Sequence, residues 1–508
     1  MLAKLKSLAL DGLIGYSVDV EVDISNGLPA YELVGLASTA TKESKERVRS
    51  AIKNSGYFYS TKRITVNLAP ADTKKEGPSF DLPIALGILA ASNQIESKTY
   101  KDFAFVGELS LDGKLRHVNG IMPLLISALQ NGQKRFVIPS DNAREASFIE
   151  GIEVYAFETL KEVVDFLEGA EAERVQTSSY TSACLTRDYG IDFADVKGQA
   201  IAKRALEIAV AGGHNVLMIG PPGAGKTMLA KCVPTIMPEM TFEEAVEVTK
   251  VHSVAGILDS SVGIVTTRPF RTPHHTTTVP ALIGGGTKAR PGEVSLANHG
   301  VLFLDEMPEY SRHALETLRQ PLEDRKVTVS RVAQSVEYPA NFMLIASMNP
   351  CPCGNFGSKT QICRCTPSQI HTYVSKLSGP LMDRIDLQIE VDNITYDEFR
   401  TRGEAESSAT IKARIDAVRD IQRERFKDEG ILTNAEMSPA QINKYCKIDK
   451  DSERLLQKAF ERLNLSARGT TRILKVARTI ADMEGAPDIK PQHIAEAIQY
   501  RGLDRKYN

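Results

Sequence analysis

The stretch GPPGAGKT at 220–227 carries glycines, a lysine and a threonine in the order GxxxxGK[ST]. Glycines at these positions let backbone N–H groups converge on phosphate oxygens, and a helix N-terminus directly after them adds positive potential. Lys226 would reach the β- and γ-phosphates, and the Thr227 hydroxyl would ligate Mg2+. The phosphate-contacting run is Gly220, Pro221, Pro222, Gly223, Ala224, Gly225, Lys226, Thr227 and Met228. VLFLDE at 301–306 ends an apolar run in two acids. Asp305 would hold magnesium, directly or through water, and Glu306 would orient and polarise an attacking water. ATP and Mg2+ are therefore the expected cofactors.

Three further residues suit the same chemistry. NFMLIASMN at 341–349 ends in Asn349, whose amide could place water near a γ-phosphate. Arg384, in LSGPLMDRIDL, is a candidate finger acting on a neighbouring subunit's nucleotide. Arg468, in SARGTTRILKVARTIAD, could touch the γ-phosphate from a lid. Taken singly, either arginine reads equally well as a surface salt-bridge residue.

A second kind of chemistry sits in CPCGNFGSKTQICRC. Cys351, Cys353, Cys363 and Cys365 are four of the chain's 7 cysteines. Four thiolates can close a tetrahedral structural Zn2+ site. The bland alternative is four reduced thiols or a redox-labile loop. The intervening Gly354, Asn355, Gly357 and Ser358 are too polar and glycine-rich to form a core. Cys184, Cys232 and Cys446 read as unrelated thiols.

The elements that must position these residues alternate by period. NVLMIG, GVLFLDE and NFMLIASMN are apolar runs of the buried, parallel-strand type. Upstream, YSVDVEVDIS and KRITVNLAP alternate as half-buried strands, DLPIALGILAAS reads as a helix, and KRFVIPS as another strand. Downstream, Ile411, Ile415, Val418 and Ile421 fall on one helical face. The expected organisation is α/β multidomain: 1–168 mixed α/β, 169–187 a Ser/Thr-rich linker, 188–395 the phosphate-binding αβα core, and 396–508 helical.

At 508 residues the chain has room for about three domains. A formal net charge of -2 points to no polyanion partner, so any nucleic-acid contact must come from local basic groups. No apolar run reaches the ~20 residues of a spanning helix. MLAKLKSLALDGLIGY lacks a cleavage site and is interrupted by Asp11, so it is not read as a signal peptide. The cysteine pattern is no disulfide framework, which fits a cytoplasmic protein.

The order of Walker A, Walker B, sensor Asn, Arg finger and helical lid resembles an AAA+ ATPase. RPFRTPHHTTTVPALIGGG at 268–286 is similar to the helix-2 insert of the magnesium-chelatase/MCM branch, and EDRKVTVSRVAQSVEYPANF at 323–342 looks like its pre-sensor hairpin. In that branch insert and hairpin face a hexameric pore. The resemblance thus makes Arg268, Arg271, Lys326 and Arg331 candidate DNA contacts, reaching phosphates without sequence preference. Each reads alternatively as ordinary surface charge, and His274 and His275 as pore or packed residues.

KEGPSFDLPIALGILAA at 75–91 resembles the catalytic-serine segment of Lon-type proteases, with Ser79 at the serine position. GELSLDGKLRHVNGIM at 107–122 resembles the next Lon signature, but Met122 stands where Lon has its activating lysine. The expectation is a Lon-protease-like (ribosomal S5 domain 2-like) fold without peptidase activity, Ser79 serving as a helix cap. The whole chain looks like the bacterial YifB/ComM proteins. That resemblance implies a homo-hexameric, ATP-driven helicase on branched or single-stranded DNA, promoting branch migration beside recombination proteins. The alternative is a chelatase-type remodelling ATPase with a protein or tetrapyrrole-pathway client. The chain has no DxSxS motif of the integrin-like chelatase subunit.

Overall fold

Alternating valines build the first sheet: Val18, Val20 and Val22 are fully buried on the strand Ile14–Ser25 while the acids between them face outward. The computed structural model describes all residues except 37–40, 42, 72, 74, 76, 184–188, 287–288, 331–334, 358–360, 394–405, 464 and 502–508. Contacts divide the chain into two units. The first comprises Met1–Thr186, Phe242–Thr266 and Val336–Tyr338; the second comprises Arg187–Thr241, Thr267–Ser335 and Pro339–Asn508.

The first unit is a seven-stranded mixed sheet. Its strands are β1 (Leu2–Asp11), β2 (Ile14–Ser25), β3 (Ala30–Val34), β4 (Arg63–Ala69), β5 (Ala104–Phe105), β6 (Arg135–Pro139) and β7 (Glu153–Phe157), in spatial order β3-β4-β2-β1-β5-β6-β7. The pairs β1–β2 and β2–β4 are antiparallel and the rest parallel. The helix Asp81–Ala91 is buried along its whole length. It lies so close to β2 that a Cβ on Gly87 would meet Val22 Cγ2 at 2.5 Å, which explains a glycine in mid-helix. Phe80 occupies the N-cap with no side-chain cap bond, so Ser79 does not cap this helix as expected. Its carbonyl instead accepts from the Gly107 N–H at 2.9 Å. Part of the expected linker is also ordered: Val175 N–H donates to Val154 O at 2.8 Å, continuing the β7 edge.

Helix Phe242–Ala255 falls by sequence between the two acidic and phosphate motifs, yet it packs with the first unit. Ser253 carries that attachment. Its hydroxyl accepts from the Gly120 N–H at 2.9 Å and donates to Glu145 at 2.5 Å.

The second unit is organised by a five-stranded parallel sheet: β8 (Val216–Ile219), β9 (Phe270–Arg271), β10 (Val301–Leu304), β11 (Met343–Met348) and β12 (Leu387–Glu390), in order β9-β10-β11-β8-β12. Every residue of β8, β10 and β11 is buried, as expected for a parallel sheet covered on both faces. The chain leaves β8 for the far edge and returns, so a crevice opens beyond the strand ends where order reverses. Helices Ser408–Arg425, Lys450–Leu463, Ala467–Met483 and Pro491–Gln499 share one hydrophobic core with this sheet. Of the predicted stripe, Ile411, Ile415 and Val418 are buried, but Ile421 is 41% exposed. Gln422 takes the inward place because its amide satisfies Ala211 O (2.9 Å) and the Asn434 N–H (3.0 Å). Among the described residues no helix is long and apolar enough to cross a membrane.

Candidate functional site

The phosphate loop leaves the C-terminal end of β8 and becomes the helix Lys226–Ile236. Gly223 and Gly225 have φ of +81° and +88°, a conformation that L side chains rarely adopt, and nothing lies within 4 Å of a Cβ built on either. Open space therefore surrounds the Cβ position of both glycines. Gly220 is enclosed instead: its N–H donates to Met348 O at 3.2 Å, and a Cβ would strike Val391 O. Strands β11 and β12 therefore hold the start of the loop. Gln199 supports it further along, donating to Ala224 O at 3.3 Å and Asp392 O at 2.5 Å.

Lys226 is buried, and its ammonium donates to Gly220 O (2.6 Å), Pro221 O (2.9 Å) and Asn349 Oδ1 (3.3 Å). Burial lowers its pKa from the usual lysine value, while Asp305 and Glu306 oppose that shift. Thr227 Oγ1 donates to Asp305 Oδ2 at 3.0 Å, so a hydroxyl and a carboxylate, both oxygen donors of the kind that suit magnesium, are already neighbours. The structure therefore brings Lys226, Thr227, Asp305 and Asn349 together across three strand ends. These donors suit a nucleoside triphosphate with Mg2+: cationic and N–H donors for phosphate, oxygen ligands for the ion.

Ser347 completes the arrangement and was not anticipated. Its hydroxyl donates to Asp305 Oδ1 and accepts from the Glu306 N–H at 3.1 Å. The signal was present as one hydroxyl inside the otherwise apolar run MLIASM. Glu306 is exposed and sits at φ +51°, a left-handed turn that separates it from Asp305 in direction.

Other anticipated residues stand elsewhere. Arg384 is buried, ion-paired with Glu323, and donates to Pro380 O at 2.7 Å. It lines an open cavity of about 510 Å³ with Glu316, Arg319, Gln320 and Asp324. Arg468 is exposed in the first turn of Ala467–Met483, after the Ser466 cap. Arg472, one turn on, pairs with buried Asp386. Burial alone would raise the Asp386 carboxyl, but Arg472, His214 and the Asn215 N–H hold it well below the usual carboxylate range.

Arg268 donates to three carbonyls, Pro238 O (2.5 Å), His299 O (2.7 Å) and Glu239 O (3.2 Å). Arg271 makes a forked pair with Glu293 at 2.6 and 2.9 Å. Both guanidiniums thus tie the insert to its own unit. Lys326 is exposed at the start of the strand Lys326–Ser330, and a second strand spans Ser335–Pro339. Arg331 lies outside the described residues. The His274 and His275 rings lie 4.0 Å apart between centroids, tilted by 36°, and neither belongs to a metal-ligand cluster among the described residues.

The four cysteines converge. Their sulfurs all lie within 4.8 Å of one another. Cys351–Cys353 is 3.4 Å, Cys353–Cys363 3.6 Å and Cys351–Cys363 3.7 Å. Backbone N–H groups of Arg364 and Asn355 bring the Cys353 thiol down to about 6.

Among the described residues of the first unit, the Lon-like segments show no comparable set. Met122 is fully buried, and its N–H donates to Glu145 at 2.8 Å. Burial pushes the Glu145 carboxyl up to about 7, against the Ser253 and Met122 donors.

Comparison with known proteins accords with this geometry. The family "Magnesium chelatase, subunit ChlI" matches residues 192–399, its C-terminal family matches 405–501, and "Subunit ChlI of Mg-chelatase" matches 20–142. The chain is 44% identical to competence protein ComM of Haemophilus influenzae, over 99% of this chain and 98% of that protein. It is 43% identical to YifB of Salmonella typhimurium, again over 99% and 98%. A shorter match, 33% identical over 27% of this chain and 26% of the relative, is to Lon protease 2 of Bacillus subtilis. A phosphate loop, its paired acids and a full-length match coincide in one chain, which belongs to the YifB/ComM family of magnesium-chelatase-like AAA+ ATPases.

Proposed function

We propose that the protein is an ATP-driven hexameric DNA motor, a helicase that promotes branch migration during homologous recombination or natural transformation. The observation that carries the hydrolysis half is the pair of contacts Lys226–Asn349 and Thr227–Asp305. The DNA half rests on full-length similarity to a protein named for competence.

Each residue has a task in this reading. Gly220 to Met228 cradle the phosphates, and Lys226 leaves its carbonyl partners to neutralise the β- and γ-oxygens. Thr227 and Asp305 hold Mg2+, which when bound offsets charge on the same oxygens. Ser347 fixes the rotation of Asp305. Glu306 polarises the attacking water, and Asn349 positions it. Arg384 exchanges Glu323 for the nucleotide of a neighbouring subunit, and Arg468 approaches the γ-phosphate from the helical region. Lys326 and Arg331 touch DNA phosphates; Arg268 and Arg271 do so only if they release their internal partners. Met122 leaves Ser79 without a base, so the first unit does not cleave peptides. The protein works in the cytoplasm.

The test is strand displacement on a labelled four-way junction with ATP, using Lys226→Ala as control. ATP-dependent resolution that disappears in the variant is expected. Active ATP turnover with no junction resolution would move the client to a protein or a tetrapyrrole pathway.

A further inference from the structure

The four cysteines follow the last residue of the nucleotide site, Asn349, within sixteen positions. Cys351 follows Asn349, the partner of Lys226, by two positions. Cys365 precedes Thr366, which caps the helix Pro367–Val374 with its side chain. Tyr373 of that helix returns to the Asn349 backbone. Between the first pair and the phosphate loop stands Gly354. Its φ is +79°, and a Cβ there would meet Pro222 Cδ at 2.6 Å and Cγ at 3.0 Å. The cysteine loop thus rests directly on the phosphate loop, with no room for a side chain.

The sulfur geometry selects the ligand class. In a tetrahedral site with Zn–S bonds of roughly 2.3 Å, sulfurs stand about 3.8 Å apart. The three separations among Cys351, Cys353 and Cys363, 3.4, 3.6 and 3.7 Å, are close to that edge, and the Cys365 sulfur lies within 4.8 Å of each. A disulfide would need about 2.05 Å. A polynuclear iron–sulfur cluster would spread its thiolates wider than 4.8 Å allows. Backbone donors already aim at the sulfurs, Phe356 N–H at Cys351 (3.3 Å) and Cys365 N–H at Cys363 (3.4 Å). Such N–H groups outside the ligand set orient thiolates and offset their charge. The composition of the loop, with Gly354, Asn355 and Gly357, is too polar and glycine-rich to replace a metal with a hydrophobic core.

We propose that Cys351, Cys353, Cys363 and Cys365 bind one Zn2+ in a closed all-thiolate site, and that this ion holds Gly354 against Pro222 so that the phosphate loop and Asn349 keep their registry. The first half stands on the cysteine geometry alone; the second rests on the nucleotide reading of 220–227. No coordination position is left open, so the ion is a positioning element and takes no part in hydrolysis.

The experiment uses the full-length chain, purified without chelator. Elemental analysis is expected to give one zinc per chain, and Co2+ exchange to give the absorption of a tetrahedral tetrathiolate. Cys363→Ser with Cys365→Ser should lose both signals. Because that variant could also unfold, Gly354→Ala supplies the second arm: it should keep its zinc yet bind a fluorescent ATP analogue about tenfold more weakly. Chelation of the wild type should weaken binding likewise. Absence of metal from the wild type would overturn the site. Zinc present, with nucleotide affinity unchanged in both Gly354→Ala and the chelated protein, would overturn the coupling. A zinc-loaded wild type that binds no nucleotide would overturn the coupling together with the nucleotide reading, and leave the metal site standing.

Discussion

Glu145 in the first unit and Asp386 in the second are both buried carboxyls, and they meet opposite company. Glu145 meets only neutral donors, the Ser253 hydroxyl, the Met122 N–H and the Asn142 side chain, so burial wins and its pKa rises to about 7. Asp81, in the same unit, is raised by burial to about 6 although Arg47 pairs with it at 2.7 Å. Asp386 faces Arg472 and His214, and its pKa is driven down. The contrast extends to the motifs. Where the first unit resembles a hydrolase, Met122 is fully buried and apolar and the Ser79 carbonyl pairs with the Gly107 N–H. Where the second carries the glycine loop 220–227, an amine, a hydroxyl, one carboxylate and an amide converge. A polar residue inherited with a fold is therefore informative only when its partners are charged or left open to a ligand.

The largest effect expected from breaking this contrast is on turnover. Glu306→Gln should lower ATP hydrolysis by at least ~100-fold while a fluorescent ATP analogue still binds. A change under about threefold would remove the acids of the second unit from the chemistry. Next in size is Arg472→Met, which strands the Asp386 carboxylate and should destabilise the second unit by about 3–5 kcal/mol in thermal or denaturant unfolding at neutral pH. Asp386 has a depressed folded pKa, so its contribution is complete above the usual carboxylate range and is lost as pH falls below about 3.8.

Glu145 runs the other way. Its folded pKa is raised from 4.5 to about 7, so the folded form holds the extra proton between those values. Stability is greatest below about 4.5, falls as pH rises toward 7, and levels off above, a loss on the order of 3 kcal/mol. Amide-exchange protection at Met122, corrected for intrinsic rate, should follow that fall and become flat in Glu145→Gln. A flat wild-type profile would contradict the burial argument. The smallest effect belongs to Ser79→Ala. It should change stability by less than about 0.5 kcal/mol and leave casein intact in both forms; casein cleavage abolished by the substitution would restore the hydrolase reading of the first unit.

The sequence disclosed local order well. Valine alternation located β2, unbroken apolar runs located β8, β10 and β11, and glycine spacing located the turn between β8 and the helix Lys226–Ile236, because each depends on a few neighbours. What escaped it depends on distant partners. Gln422 turns inward past Ile421 because Ala211 and Asn434 supply its hydrogen bonds. Ser347 matters because β11 runs beside β10, bringing its hydroxyl to Asp305. Helix Phe242–Ala255 joins the first unit through Ser253 and Glu145, residues more than a hundred positions apart. Arg268 and Arg271 looked like outward cations, whereas nearby carbonyls and Glu293 engage them.

The most direct test of the central claim is ATP turnover by the full-length chain, with and without a branched duplex, in the wild type and in Glu306→Gln. The predicted result is hydrolysis that branched DNA accelerates and that Glu306→Gln removes under both conditions. Hydrolysis that persists in Glu306→Gln, or that branched DNA leaves unchanged, would contradict it.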